Sequence, residues 1–330
     1  MSNCSDDFPT TDVFYDDISG DTVLIVFLVL ACVLAVACLA IYIEELFFIR
    51  NHYANGDSRA WKIGVLLGLY PAICIFSLIA LLVPTSSVLM ALVASCYLSF
   101  SIYIFIMMTI ECYGGPDKMV ETLADDKVNL NTPPCCCCMC CILKPITLTR
   151  KSLKIIEGLA MQVMFVRPLL LVIAAVMWTD GRYNNEISAD EPYVYLNVVS
   201  AVSTLLSMYG LIVIFRASRV HLKHYHLRLK FVPLQLAILF VNLQRTIFSL
   251  LADRDIPECK GTRGSRVRGD SIHNGLLVVE MFLFCLLARK GYRTETPDSD
   301  ERIDNCSTSY TNEIGSTQID NYGSNSNQTV

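Results

Sequence analysis

Hydrophobic residues along the chain are grouped into seven long blocks that are separated by polar segments. Each block meets or approaches the roughly 20 apolar residues with which a helix crosses a hydrocarbon core about 30 Å thick. The blocks are apolar on every face, whereas a membrane β-strand alternates over about ten residues. The pattern therefore predicts an all-α membrane protein with seven transmembrane helices, at 22–43, 61–83, 87–110, 156–178, 194–215, 231–251 and 272–289.

The composition agrees with a membrane protein. Hydrophobic residues make up 53% of the chain and charged residues 17%, and the mean hydropathy is +0.47, whereas a soluble domain carries about 25% charge. These values exclude a soluble enzyme. A net charge of −5 provides no basic excess for nucleic acid. The sequence also groups no nucleophile, base and orienting residue together, so we predict no catalytic, metal or cofactor site.

Basic residues predict an N-terminus outside the cell and a C-terminus in the cytoplasm. With this orientation 18 of the 26 Lys and Arg residues lie on the cytoplasmic side, where basic residues are retained. Segment 1–21 has six Asp and no Lys or Arg, unlike the basic start of a signal peptide. The outer loop 252–271 departs from the rule with five basic residues, and the sequence does not explain it.

The chain divides into three predicted regions. Segment 1–21 is an extracellular acidic N-terminus, in which Asn3 of Asn3-Cys4-Ser5 is a candidate for glycosylation. Residues 22–291 form the seven-helix domain, with a cysteine-rich cytoplasmic loop at 111–155. Segment 292–330 is poor in apolar residues, which predicts a disordered cytoplasmic tail.

Six of the fifteen cysteines are crowded into the cytoplasmic loop 111–155. A reducing cytosol excludes disulfides there. Structural zinc needs two separated pairs of ligands, and this run has no second pair and no neighbouring His. Thiols near the membrane surface with a basic flank suit S-acylation. We therefore predict acylation, with a metal site or an unmodified loop as alternatives, at Cys135, Cys136, Cys137, Cys138, Cys140 and Cys141.

Three ionisable residues lie inside the predicted spans, where each is costly unless it finds a partner or water. Measured from the outer helix ends at 1.5 Å per residue, Arg245 is about 9 Å deep, Glu280 about 12 Å and Arg167 about 16 Å. One interpretation is a buried ion pair of Glu280 with either Arg that only joins helices. The other is a site for an amphipathic anion, because two Arg and one Glu leave one positive charge uncompensated. The neighbouring polar candidates are Gln162, Asn242 and Gln244.

Several short motifs, in this order, resemble the organic solute transporter alpha subunit family over about residues 20–293. They are Glu111-Cys112-Tyr113-Gly114-Gly115, Pro133-Pro134-Cys135, Gln162 with Val166-Arg167-Pro168, His273-Asn274, and Val279-Glu280-Met281. The resemblance implies facilitated movement of bile acids, conjugated steroids and related organic anions across the plasma membrane. It also implies a complex with a single-span beta subunit and no use of ATP, and the chain has no G-x4-GK[ST] phosphate loop.

Two other functions fit seven helices with an external N-terminus. The first is that of a non-transporting seven-helix relative that acts as an acylated scaffold or trafficking protein. The second is a receptor coupled to a G protein. The sequence lacks the Asp/Glu-Arg-Tyr triplet of such receptors at the inner end of the third span, and it lacks Asn-Pro-x-x-Tyr in the seventh. The transporter is therefore the preferred interpretation. For this protein we predict a multi-pass location in the plasma membrane, with the endoplasmic reticulum as an alternative.

Overall fold

A computed structural model describes residues 8–18, 20–53, 58–124, 127–128, 146–179, 192–223, 225–260 and 263–293. Seven of its helices are long and apolar enough to cross a membrane, which confirms the predicted fold of a multi-pass membrane protein. The sixth span consists of α8, a π-helical segment and α9. The helices are α1 Thr11–Ile18, α2 Thr22–His52, α3 Ser58–Leu82, α4 Ser87–Glu111, α5 Pro116–Thr122, α6 Arg150–Thr179, α7 Pro192–Ser218, α8 Leu227–Leu239, the π segment Phe240–Gln244, α9 Arg245–Ala252 and α10 Ser265–Arg293.

Several spans extend beyond the apolar blocks that predicted them. Helix α2 continues to His52 rather than to 43, and α6 begins at Arg150 rather than at 156. Helix α10 begins at Ser265, seven residues before the predicted 272. A hydropathy pattern marks only the part of a helix that suits lipid. Polar turns that pack on protein or lie beyond the hydrocarbon therefore stay helical without contributing to the pattern.

The two ends of the bundle are distinguished by their ion pairs. At the end called the N side, Lys260 Nζ lies 2.7 Å from Asp21 Oδ2. At the opposite end, the C side, buried Glu45 accepts from Arg289 Nε at 2.9 Å and from Arg293 Nε at 2.8 Å. Because the chain changes sides with each of the seven spans, its N-terminal and C-terminal segments lie at opposite ends of the bundle. Which side faces the cytoplasm stays a prediction.

Helix α3 lies at the centre of the bundle and α2 lies at its edge. Helix α3 packs on α2, α4 and α10, and its Leu69 and Ile73 are fully buried. Helix α2 is apolar all round but leaves Val23, Val26 and Val36 largely exposed. A helix with apolar side chains on every face is expected where one face meets protein and the other meets lipid.

The N-terminal segment folds against the N side of the bundle as helix α1, an element that the sequence did not predict. Phe14 and Ile18 of α1 are buried. Tyr15 Oη donates a hydrogen bond of 3.2 Å to the carbonyl oxygen of Leu82, the last residue of α3. The N-terminal segment is therefore part of the packed structure from at least Thr11 onwards.

The segment between α4 and α6 is described only in part. Helix α5 is joined to the start of α6 by an ion pair between Asp117 and Arg150. A short antiparallel pair of strands, β1 Lys127–Val128 and β2 Ile146–Thr147, follows. The six candidate cysteines at 135–141, the candidate Asn3 and the tail from 294 onwards lie outside the described residues, so the predictions about them stay predictions.

Candidate functional site

A cavity of about 730 Å³ lies in the half of the bundle nearer the N side. Its wall is formed by α3, α4, α6, α7, the sixth span and the start of α10, and Phe8 reaches it from the N-terminal segment. Three of the six residues predicted as candidates line it, namely Arg167, Asn242 and Arg245. The other three, Gln162, Gln244 and Glu280, are not among the described residues of its wall.

Arg167 projects from α6 towards two neutral acceptors. Its Nη2 donates to Thr204 Oγ1 on α7 at 2.5 Å and to Asn242 Oδ1 in the π segment at 2.9 Å. Both acceptors are oriented by their own helices, because the Thr204 hydroxyl donates to Ser200 O and Asn242 Nδ2 donates to Ile238 O. The oxygen lone pairs of Thr204 and Asn242 are therefore directed at the guanidinium.

The guanidinium of Arg167 also has a hydrogen-bond donor that no described residue uses. Its Nε is buried and has no hydrogen-bond partner among the described residues. No carboxylate of the described chain lies within ion-pair distance of it. A buried cation with only neutral partners is costly, so Arg167 is a cation that an incoming anion would stabilise.

The π segment Phe240–Gln244 positions the polar residues of the sixth span. A π turn has hydrogen bonds from i to i+5 and so accommodates one extra residue; such turns are often found at functional sites. Asn242 bonds to Arg167 on α6, whereas Gln244 Nε2 donates to Glu280 Oε1 on α10 at 3.2 Å. Arg245 approaches Asp270, also on α10. Asn242, Gln244 and Arg245, which lie within four residues of one another, therefore contact three different side chains on α6 and α10.

A second polar group lies where α4, α9 and α10 meet. Arg245 Nη2 is 3.6 Å from Asp270 Oδ1. The other carboxylate oxygen, Oδ2, accepts hydrogen bonds from Ser87 Oγ and from Asn274 Nδ2, the latter at 3.0 Å. His273 is buried in the same wall, and its Nδ1 has no partner among the described residues.

Among the described residues Glu280 forms no ion pair with Arg167 or Arg245, in contrast to the first of the two interpretations of these charges. Glu280 bonds to Gln244 through Oε1, and its Oε2 has no partner among the described residues. Arg245 pairs instead with Asp270, ten residues before Glu280 on α10. Ten residues correspond to about 15 Å along a helix, which separates the two carboxylates clearly. Asp270 was missed because the predicted seventh span began at 272.

Gln162 does not join the polar group around Arg167. Its Nε2 is buried without a partner among the described residues. Five residues along an α-helix correspond to about 7.5 Å and about 140° of rotation, so Gln162 and Arg167 of α6 point in different directions. The residues that line the site and that sequence reasoning missed are Ser87, Thr204 and Asp270. His273 and Asn274 also line it, and the sequence had marked them only as a motif of the family resemblance. The spacing of Asp270 and Asn274, four residues apart, was a visible signal for Asp270.

The cavity is open on one side. Helix α7 packs closely on α6 but only sparsely on α8. Apolar side chains of α7 and of the sixth span line the cavity and are also well exposed, as expected along an opening towards lipid. They are Val198, Leu205, Leu239, Leu243 and Leu250. The arrangement can hold an anionic group at Arg167 and an apolar body between the helices.

Comparison with known proteins gives a consistent result. The family model described as Organic solute transporter Ostalpha matches residues 27–297. An organic solute transporter subunit alpha from Leucoraja erinaceus is 34% identical over 222 residues, which are 67% of this chain and 63% of the relative. The Homo sapiens subunit alpha is 30% identical over 264 residues, 79% of this chain and 76% of the relative.

A more distant relative is the transmembrane protein 184 homolog of Dictyostelium discoideum. It is 22% identical over 273 residues, which are 80% of this chain and 53% of that protein. The chain thus spans less than two thirds of the length of the Leucoraja erinaceus relative and about half that of the Dictyostelium protein. No solved structure matches the chain.

Proposed function

The chain belongs to the organic solute transporter alpha family, and on that premise we propose that it is the alpha subunit of a facilitative transporter for amphipathic organic anions. Bile acids and conjugated steroids are the substrate class, and a single-span beta subunit is the partner. The relatives are named as subunits, which supports a heteromeric protein. The plasma membrane is the proposed location, with the N-terminus outside.

The observation that carries this proposal is the unpaired cation in a largely apolar cavity. In the part of the chain that the structure describes, Arg167 has only neutral hydrogen-bond partners, and its buried Nε has none. A sulfate or carboxylate is the ligand that a planar guanidinium binds best, because two parallel hydrogen bonds form at once. The cavity of about 730 Å³ is within the range of about 300–1,000 Å³ that small-molecule sites occupy.

The opening between α7 and the sixth span suits an amphipathic substrate. Burial of an apolar body gains roughly 25 cal/mol per Å² when the body leaves water, whereas a charged group at lipid depth needs a cation. A steroid therefore places its rings along Leu205 and Leu243 and its anionic group at Arg167. The absence of a phosphate-loop motif from the sequence supports passive movement down a gradient.

Uptake of a labelled steroid sulfate tests the proposal. Cells that express the chain together with the beta subunit should take up the substrate, and uptake should survive ATP depletion and reverse with the gradient. Arg167→Lys keeps the charge but loses the planar fork, so it should retain part of the uptake. Arg167→Gln removes the charge and should reduce uptake by about tenfold or more, in line with the loss of a hydrogen bond to a charged group.

Arg50→Gln is the matched control, because Arg50 is exposed on the C side and does not line the cavity. Surface expression must be matched among all variants before rates are compared. Loss of uptake in Arg50→Gln equal to that in Arg167→Gln would contradict a role for the cavity. Normal surface expression with the beta subunit and no uptake of any steroid sulfate would favour the non-transporting scaffold instead.

A further inference from the structure

The carboxylate of Asp270 is anchored at one oxygen and only loosely paired at the other. Ser87 Oγ and Asn274 Nδ2 both donate to Oδ2. Oδ1 is 3.6 Å from Arg245 Nη2, which is longer than the roughly 2.7–2.9 Å of a charge-assisted hydrogen bond. Helices α4 and α10 therefore hold Asp270 in place, while Arg245 is attracted to it without being clamped.

Arg245 is the more accessible member of this pair. Its side chain is 39% exposed, against 19% for Asp270, and it lines the cavity. Among the described residues its guanidinium makes no hydrogen bond. The donors of Arg245 are therefore available to a second anionic group inside the cavity.

Among the described residues, the charges of the cavity wall leave one positive charge uncompensated. Arg245 is balanced by Asp270, and Arg266 pairs with Asp253 at 3.2 Å. Arg167 has no carboxylate partner among the described residues. One anionic group of a substrate neutralises Arg167. A second would have to share Arg245 with Asp270, and bringing like charges together away from bulk water is unfavourable.

We propose that Asp270 reserves Arg245 and so makes the cavity select amphipathic anions with one negative charge over those with two. This inference rests on the proposed function, since it concerns which organic anions the same cavity accepts. In this arrangement the carboxylate of Asp270 competes with a second anionic group of the substrate for the guanidinium of Arg245. Removing its charge frees Arg245 and leaves the cavity with two positive charges.

The test compares an oestrogen monosulfate with the disulfate of the same steroid, in cells that express the full chain and the beta subunit. The wild type should take up the monosulfate well, and the disulfate should compete with it poorly. Asp270→Asn keeps the shape of the side chain and removes its charge. This variant should lower the KM for the disulfate relative to the KM for the monosulfate by about tenfold, the effect of gaining one charged hydrogen bond.

Two control variants separate charge from packing. Asp270→Glu keeps the charge, and Ser87→Ala removes one hydrogen bond to Asp270 but leaves its charge, so both should keep the preference for the monosulfate. Adding Arg245→Gln to Asp270→Asn should abolish the gained disulfate uptake. The ratio of the two KM values is measured within one protein, so it does not depend on the amount that reaches the surface.

The wild type alone tests the selectivity. Equal transport of the monosulfate and the disulfate by the wild type would overturn the proposed preference for one negative charge. The variants test the role of the Asp270 charge. That role would be overturned if the KM ratio stayed unchanged in Asp270→Asn. It would also be overturned if Ser87→Ala changed the ratio as much as Asp270→Asn does. Neither result would contradict anion transport itself. No transport of either sulfate by the wild type with its beta subunit would overturn the proposed function and this inference with it.

Discussion

Arg263 and Asp17 form an ion pair in which Arg263 Nε lies 2.7 Å from Asp17 Oδ2. The Arg263 side chain is only 7% exposed, and its Nη2 is also 3.6 Å from Asp21. These contacts join the loop before α10 to the acidic N-terminal segment. They explain part of the basic excess of the outer loop 252–271, because two of its five basic residues, Lys260 and Arg263, are matched by Asp residues on the same side of the bundle.

The first prediction concerns this pair. Arg263→Asp should lower the free energy of unfolding by about 1.5–3 kcal/mol, the range for hydrogen bonds to charged groups, because Asp17 loses its partner and meets a like charge. The exchanged double variant Asp17→Arg with Arg263→Asp should recover part of the loss. Thermal unfolding in detergent measures both. Asp12→Arg, on an exposed position of α1, is the control and should have little effect; equal losses in all the single variants would disprove a specific pair.

The second prediction concerns pH. The hydrogen bond from Lys260 holds the pKa of Asp21 below its ordinary value of 3.8. A lowered pKa means that the folded protein favours the carboxylate, so the contribution to stability is present above about pH 4 and is lost as the pH falls through the lowered pKa. The wild type should therefore be more stable than Asp21→Asn at neutral pH, and the difference should vanish in acid. A difference between the two that is independent of pH would show that the charge of Asp21 has no part in it.

The third prediction concerns orientation. Cys259 is disulfide-bonded and lies in the loop on the N side, and disulfides persist in oxidising compartments. This agrees with an external N-terminus. Asn3→Gln should therefore remove a shift in electrophoretic mobility that glycosidase produces in the wild type, and Asn305→Gln should leave it unchanged. The opposite result would place the C-terminus outside.

The fourth prediction concerns Glu280 and Gln244. Glu280→Gln keeps an acceptor for Gln244 Nε2 and removes a poorly solvated charge, so the folded yield should be retained. Glu280→Leu leaves the Gln244 donor unsatisfied, which costs about 1–3 kcal/mol, and should lower the yield. Size-exclusion chromatography with fluorescence detection gives the folded fraction. Restoration of a low Glu280→Gln yield by added Arg245→Gln would show that Glu280 pairs with Arg245 after all.

The fifth prediction concerns the cysteine-rich loop. Several of the residues Cys135, Cys136, Cys137, Cys138, Cys140 and Cys141 should carry thioester-linked acyl chains, since two or more chains anchor a loop stably whereas one does not. Acyl exchange after hydroxylamine should label the wild type, and a variant with Ser at all six positions should lose the label. Stoichiometric zinc in purified protein without an acyl signal would support the metal alternative.

The seven spans could be predicted because crossing a lipid core imposes a length and a composition that remain visible in the sequence. The start of α10 could not. Residues Ser265 to Asp270 contain two Arg and one Asp, so a scale based on transfer into lipid assigns them to a loop. In the fold this turn packs on protein, and Ser87 and Arg245 compensate the charge of Asp270.

The candidate site could be predicted by depth but not by direction. Counting residues from helix ends correctly placed Arg167 and Arg245 in one region, and both line the cavity. The residue count does not give the direction in which a side chain points around its helix. That direction depends on local hydrogen bonding. The π turn that directs Asn242 to Arg167 and Gln244 to Glu280 has no recognisable pattern in the sequence.

That single π turn makes the site unusually sensitive to chain length. Deleting one residue between 240 and 244 would let the segment become regular α-helix, and each residue on one side of the deletion would turn by about 100° relative to the other side. Asn242 and Arg245 would then no longer face the cavity together. Small insertions and deletions in the sixth span can therefore exchange cavity-facing for lipid-facing side chains while every amino acid outside the change stays the same.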